Sequence, residues 1–137
     1  LTRSSAASDV YKRQLWVGLL YDSDSLDNVF NLVKALDWQS VNELSIDVCK
    51  HGMNATINDK TLWEFGEEVL KIAQFGLQNR ASAYDIKDES LFLTPLLEQV
   101  SKRQTLSSNL ANKFESKWKN NFSSFYDDFN FYRGLGN

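Results

Sequence analysis

Leu15 to Tyr21 reads LWVGLLY, seven residues without a charge, closed by Asp22. Nothing else in the chain is as apolar. Its length and its glycine point to a buried strand, since helices of a globular protein run longer and carry polar residues on one face. A strand covered on both faces needs neighbours to satisfy its backbone, and no other segment alternates as a strand should. The expectation is one short amino-terminal strand whose partner strands are missing from this chain.

After Asp22 the chain reads as helices, five to six in number, making the fold mainly α. Ser23 or Ser25 can cap a helix whose Leu26, Val29, Phe30, Val33 and Leu36 recur at spacings of three and four and should face the core. Ser40 with Glu43 reads as a capping box for a short helix carrying Val41, Leu44 and Val48, ended by Gly52 at a left-handed position. Thr61 with Glu64 opens the longest helix, about 59–80, with Leu62, Phe65, Val69, Ile72, Ala73 and Leu77 on one side. Gly66 and Gly76 each weaken it by roughly 1 kcal/mol relative to Ala. Residues 82–89 read as a loop. Thr94 before Pro95 starts a helix ending near Lys102. Thr105 starts another, with Leu110, Phe114 and Trp118 on one face, and Ser123 or Ser124 opens a last segment with Phe125, Phe129 and Tyr132.

Residues 1–14, LTRSSAASDVYKRQ, do not match this text and are set apart as an adaptor-derived or disordered tail. Residues 15–132 form the helical unit, and 133–137 a frayed terminus. At 137 residues, 42% of them hydrophobic, one domain with its own core is expected.

A net charge of -3 disfavours nucleic acid, whose phosphates need clustered Lys and Arg, and disfavours an anionic membrane surface for the same reason. No run reaches the roughly 18 apolar residues of a bilayer span. Cys49 is the sole cysteine, which excludes an internal disulfide or CxxC pair and suits a reducing cytoplasm.

No phosphate-cradling, dinucleotide, nucleophile-elbow or HExxH motif is present, so no catalytic residue and no metal ligand is assigned. Cys49 and His51, two apart, diverge on a helix and read as an incidental pair rather than nucleophile and base. The acidic groups Asp22, Asp24 and Asp27, Glu67 and Glu68, and Asp127 and Asp128 were weighed as Mg2+ ligands; helix-dipole complementarity and solvated faces account for them.

The run WVGLLYD at Trp16 to Asp22 resembles a signature near the carboxyl end of proteobacterial and plant-type glutamate–cysteine ligases. TLWEFGEEVLKIAQFGL at Thr61 to Leu77 is similar to that family's helix with its EVL and GL elements, and DESLFLTPLLEQV at Asp88 to Val100 to its next stretch. Thr105, Leu110 and Trp118 then fall where the family has a helix start, its Leu and its Trp. The resemblance covers about 15–131. It departs at Lys119, Asn120, Asn121, Ser123 and Ser124, where relatives have a Gly-Gly-Ser turn followed by Asp-Pro, and at Cys49, where they have Pro.

The resemblance implies a carboxyl-terminal piece of an ATP-dependent enzyme that makes the first bond of glutathione through a γ-glutamyl phosphate. Glutamate, cysteine, ATP and Mg2+ would be bound by the parent, mainly on its upstream sheet. The piece alone is expected to be inactive and to bind none of them tightly. Trp16 and Tyr21 lie on the strand nearest that sheet, an antiparallel one in the α+β parent enzyme; the resemblance implies that one of them lines the substrate cavity, with plain core packing as the other reading. The competing reading is a small all-helical interaction module using Trp63, Trp118 and Phe125 as exposed contacts.

Overall fold

The computed structural model describes residues 2–129. Among them lie seven α-helices: α1 Thr2–Leu20, α2 Ser23–Val33, α3 Trp38–His51, α4 Leu62–Tyr84, α5 Thr94–Ser101, α6 Leu106–Ser116 and α7 Phe122–Phe129. A hairpin of β1 Thr56–Ile57 and β2 Lys60–Thr61 and two 3-10 turns, Gly52–Asn54 and Ser90–Leu93, complete the order. The mainly helical expectation holds. The segment 130–137, including Tyr132 and the expected frayed end, lies outside the described residues.

The orphan strand is not there. Trp16 to Leu20 is the last turn of α1, and Tyr21 closes it by donating its N–H to the Val17 carbonyl at 3.1 Å. The apolar run hides a helical period: Tyr11, Gln14, Leu15, Gly18 and Leu19 turn inward, while Trp16 and Leu20 face out. Continuous apolarity cannot separate a short strand from one helical turn, and the backbone bonds a strand would have sought elsewhere are made within the helix. The physical argument for a severed sheet therefore falls. α1 also continues back through 2–14, the stretch set apart in the sequence: Tyr11 packs on the core and Gln14 is 3% exposed, its Oε1 without a partner among the described residues.

The core forms where α1 crosses α4 and the Ser90–Leu93 turn, from Leu19, Ala73, Leu77 and Leu93, with Val29, Val69, Ile72 and Leu97 partly buried against it. α4 starts as the sequence indicated. The Thr61 hydroxyl accepts from the Glu64 N–H while the Glu64 carboxylate accepts from the Thr61 N–H at 2.8 Å. The helix runs on to Tyr84, so the loop is 85–89 rather than 82–89.

Other boundaries move for identifiable reasons. Asp22, not Ser23 or Ser25, caps α2 by accepting from the Ser25 N–H at 2.9 Å. Asp37, not Ser40, caps α3, accepting from the Ser40 N–H at 2.8 Å. In both cases an ionised carboxylate just upstream takes the donors that the serine would have taken. Thr94 is the first residue of α5 rather than its cap, because the 3-10 turn before it runs directly into the helix. Thr105 caps α6 as expected.

The stripe expected to bury α2 does so only in part, through Val29. Ser25, fully buried, with Val29 and Leu32 meets α4, while Leu26, Phe30 and Val33 on the adjacent stripe are exposed. Residues 56–61, whose last three the periodicity assigns to the long helix, form a hairpin instead. Its two central residues, Asn58 and Asp59, both have positive φ, as a two-residue primed turn requires. They are not the Asn-Gly or Asp-Gly pair that announces such turns.

Candidate functional site

The corner after α1 is built by an unusually close helix crossing. A Cβ placed on Gly76 would fall on the Gly18 carbonyl and within 2.7 Å of the Ser25 hydroxyl, and one on Gly18 would fall on the Ala73 carbonyl. No side chain fits between the two backbones there. Ser25 fills the remaining space, donating from Oγ to the Ile72 carbonyl at 3.3 Å. Asp22 then joins three elements: beyond capping α2, its Oδ1 accepts from Asn79 Nδ2 on α4 at 3.2 Å. Desolvation pulls the Asp22 carboxyl upward, but the hydrogen bonds from the Ser25 backbone and side chain and from Asn79 outweigh it and hold it below the usual carboxylate range.

Of the WVGLLYD signature, Gly18, Leu19 and Asp22 carry packing and capping, and Trp16, Leu20 and Tyr21 are exposed. Trp16 is 60% exposed on α1 and Tyr21 is 72% exposed beyond it. The structure does not bring them together. Tyr21 lines a cleft of about 370 Å³ with Arg80, Tyr84 and Ile86, and Trp16 is not among the lining residues. Sequence reasoning missed Arg80, Tyr84 and Ile86; they lie some sixty positions away and no local pattern links them to Tyr21.

The cleft is held from three sides. Arg80 Nη1 donates to Glu89 Oε2 at 3.2 Å, tying α4 to the following loop. Asp85 ends α4 in the left-handed conformation, φ 50°, and the Ile86 N–H returns to the Ala81 carbonyl at 3.1 Å. These ties fix the end of α4 and the loop that follows it.

A second polar cleft, about 400 Å³, lies between α3 and the hairpin, lined by Ser40, Glu43, Leu44, Asp47, Thr56, Ile57 and Asn58. Asp47 spans it. One oxygen meets His51 Nδ1 at 2.6 Å and the other accepts from the Thr56 N–H at 3.1 Å. The His51 contact, then the Thr56 amide, lowers the Asp47 carboxyl. His51 is thus held through Nδ1 by Asp47, and Cys49 is exposed.

Three of the acidic residues have a clear local setting. Glu67 pairs with Lys71 at 2.8 Å and Glu68 with Lys60 at 2.6 Å, both at the surface, and Asp24 lies in the first turn of α2. The side chains of Asp127 and Asp128 lie outside the described ones. Among the described residues no three His, Cys, Asp or Glu side chains gather as a metal would need. The aromatic contacts named for an interaction module are also reassigned. Trp63 is buried, its Nε1 donating to Asn54 Oδ1 at 3.2 Å, and Trp118 is buried edge-on against Phe125, ring centroids 5.2 Å apart. Among the described residues no helix is long and apolar enough to cross a membrane.

Compared with known proteins, the chain is 29% identical over 113 residues to the chloroplastic glutamate–cysteine ligase of Medicago truncatula, covering 82% of the chain. It is 33% identical over 105 residues to that of Brassica juncea and 32% over 105 to that of Arabidopsis thaliana, each covering 75% of the chain. These matches support the glutamate–cysteine ligase family. The chain spans about a fifth of the length of these curated relatives, 21%, 19% and 19%. No protein-family profile matches the chain.

Proposed function

We propose that this chain serves as the carboxyl-terminal helical part of an ATP-dependent glutamate–cysteine ligase. In that reaction ATP phosphorylates the γ-carboxylate of glutamate, and the cysteine amine displaces phosphate from the acyl phosphate to give γ-glutamylcysteine. One observation carries the reading: 75% to 82% of the chain aligns with ligases that are about five times longer than the matched segment. A reducing compartment, read here as the cytoplasm, is part of the proposal and is supported by the single Cys49; the relatives are named as chloroplastic.

No step of the phosphoryl chemistry is assigned to the described residues. Their part is to position. Tyr21 and Trp16 present aromatic surface from a corner locked by Asp22 and the Gly18–Gly76 crossing, and we assign them to the wall of the substrate cavity. A second reading, an interaction module, draws on a different aromatic set from the one expected: Trp38, 83% exposed, with Phe30 and Phe122.

A chimera tests the proposal, with this chain replacing the matched fifth of the Medicago truncatula enzyme. Expected is ATP-dependent γ-glutamylcysteine formation by the chimera and none by the chain alone, which should also show no micromolar ATP binding by calorimetry. A chimera that unfolds cooperatively yet makes no product would overturn the reading, as would turnover by the isolated chain. Trp16→Ala and Tyr21→Ala in the active chimera should raise KM without lowering the unfolding midpoint, both side chains being largely in solvent.

A further inference from the structure

We infer that the outer stripe of α2, Leu26, Phe30 and Val33, with Trp38 at the start of α3, is an intramolecular docking face covered by the rest of the ligase polypeptide. The inference deepens the ligase reading and rests on it for the covering chain; the extent and chemistry of the face come from the surface itself.

Leu26, Phe30 and Val33 follow one another at spacings of four and three, so they share one side of the helix. α2 packs on α1 and α4 by a different side, through Val29 and through Ser25, whose Oγ donates to the Ile72 carbonyl. At roughly 100° per residue the stripe sits about a quarter-turn round from that contact. The chain then turns at once: the Leu36 N–H donates to the Val33 carbonyl at 2.9 Å, and Trp38 opens α3. Phe30 is 60% and Trp38 83% exposed, so two aromatic rings stand in water at a standing cost.

Charge narrows the occupant. Asp27 and Lys34, both exposed, border the stripe on the side turned from α4. An apolar strip edged by opposite charges is the pattern of a protein contact with a polar rim. Nucleic acid or an anionic membrane would find Lys34 alone against Asp24, Asp27 and Asp37 along α2 and the turn after it.

Area narrows it further. Full burial of Phe30 and Trp38 removes roughly 150–250 Å² each from water, and Leu26 and Val33, each already more than half buried, add less. Together they fall short of the about 800 Å² that each side of a stable complex between separate molecules gives up. A tethered partner does not need that area, because covalent connection holds it at an effective concentration in the millimolar range. In the ligases matched above, about four fifths of the same polypeptide lies outside the matched segment.

The test is hydroxyl-radical footprinting read by mass spectrometry, on the 137-residue chain and on the chimera in parallel. Phe30 and Trp38 should be oxidised at least about fivefold more slowly in the chimera. In the chain alone, Phe30→Asp should move the unfolding midpoint by less than about 2 °C, since the ring already stands in water. A larger fall would put the stripe inside this chain's own core and overturn the proposal. Rings oxidised equally fast in a folded chimera overturn it too, and so does a dimer of the chain alone that Phe30→Asp dissolves, which would give the face to a second copy. An active chimera with both rings still oxidised quickly would remove the face and leave the ligase reading; a folded, inactive chimera with both rings protected would do the reverse.

Discussion

At Gly66 and Gly76 one residue type has opposite meanings on a single helix. Sequence propensity treats both as weak points in α4. The structure separates them: nothing lies within 4 Å of a Cβ built on Gly66, while one on Gly76 meets the Gly18 backbone. Gly66→Ala should therefore stabilise the chain by about 0.5–1 kcal/mol, and Gly76→Ala should destabilise it by about 3 kcal/mol, at the upper end of overpacking costs. Urea unfolding of the two variants checks both signs. Equal effects would remove the close crossing from the account.

Four carboxylates make a second residue-scale prediction. The Ser40 amide lowers Asp37, the His51 contact lowers Asp47, the Thr61 amide lowers Glu64, and Asp22 is lowered on balance by its Ser25 and Asn79 bonds against desolvation. Each folded-state pKa lies below its unfolded value, so the unfolded chain takes up protons first as the pH drops. The stabilisation is whole above about pH 5 and is lost as the pH falls through the lowered values, below about 4. The thermal midpoint should fall steeply across that range. Asp47→Asn should start lower at neutral pH and fall less steeply.

Turns and caps decide the elements. Thr61, Thr105 and Gly52 could be read because their chemistry is local: a hydroxyl three residues before its partner, or a glycine where φ is positive. α1 and the exposed stripe of α2 could not, because a run such as Leu15–Tyr21 and a stripe such as Leu26, Phe30, Val33 acquire direction only from the helix they pack against. That partner, α4, is fifty residues away. The same limit hid Arg80 and Tyr84 from Tyr21.

At the turn between α6 and α7, where Lys119–Asn121 depart from the Gly-Gly-Ser expected by resemblance, Lys119 and Asn120 have φ of 47° and 58°. The geometry a glycine pair would favour is thus adopted by residues that carry a Cβ. Lys119→Gly should stabilise the chain by about 0.5–1 kcal/mol, the left-handed penalty less the added backbone entropy of glycine. A lower midpoint in thermal unfolding would contradict this.

Across the whole molecule the grip is uneven. α4 contacts α1, α2, α5, the hairpin and both 3-10 turns, whereas α3 packs chiefly on the Gly52–Asn54 turn and β1, with Asp47 as its polar tie. Stability should be graded accordingly. Hydrogen exchange should be slowest in the middle of α4 and faster by orders of magnitude in α3, and Asp47→Asn should speed α3 and the Thr56 amide while leaving α4 unchanged. Uniform protection through both helices would count against this grading.

Where Gly18 meets Gly76, main chain rests on main chain, with no rotamer in between to absorb a shift. The spacing of α1 and α4 is consequently a fixed length rather than an adjustable one. Repacking elsewhere can tilt the pair as a unit, but it cannot slide one past the other without breaking the contact, and so the place where the chain leaves α1 at Tyr21 is set by backbone contact with α4.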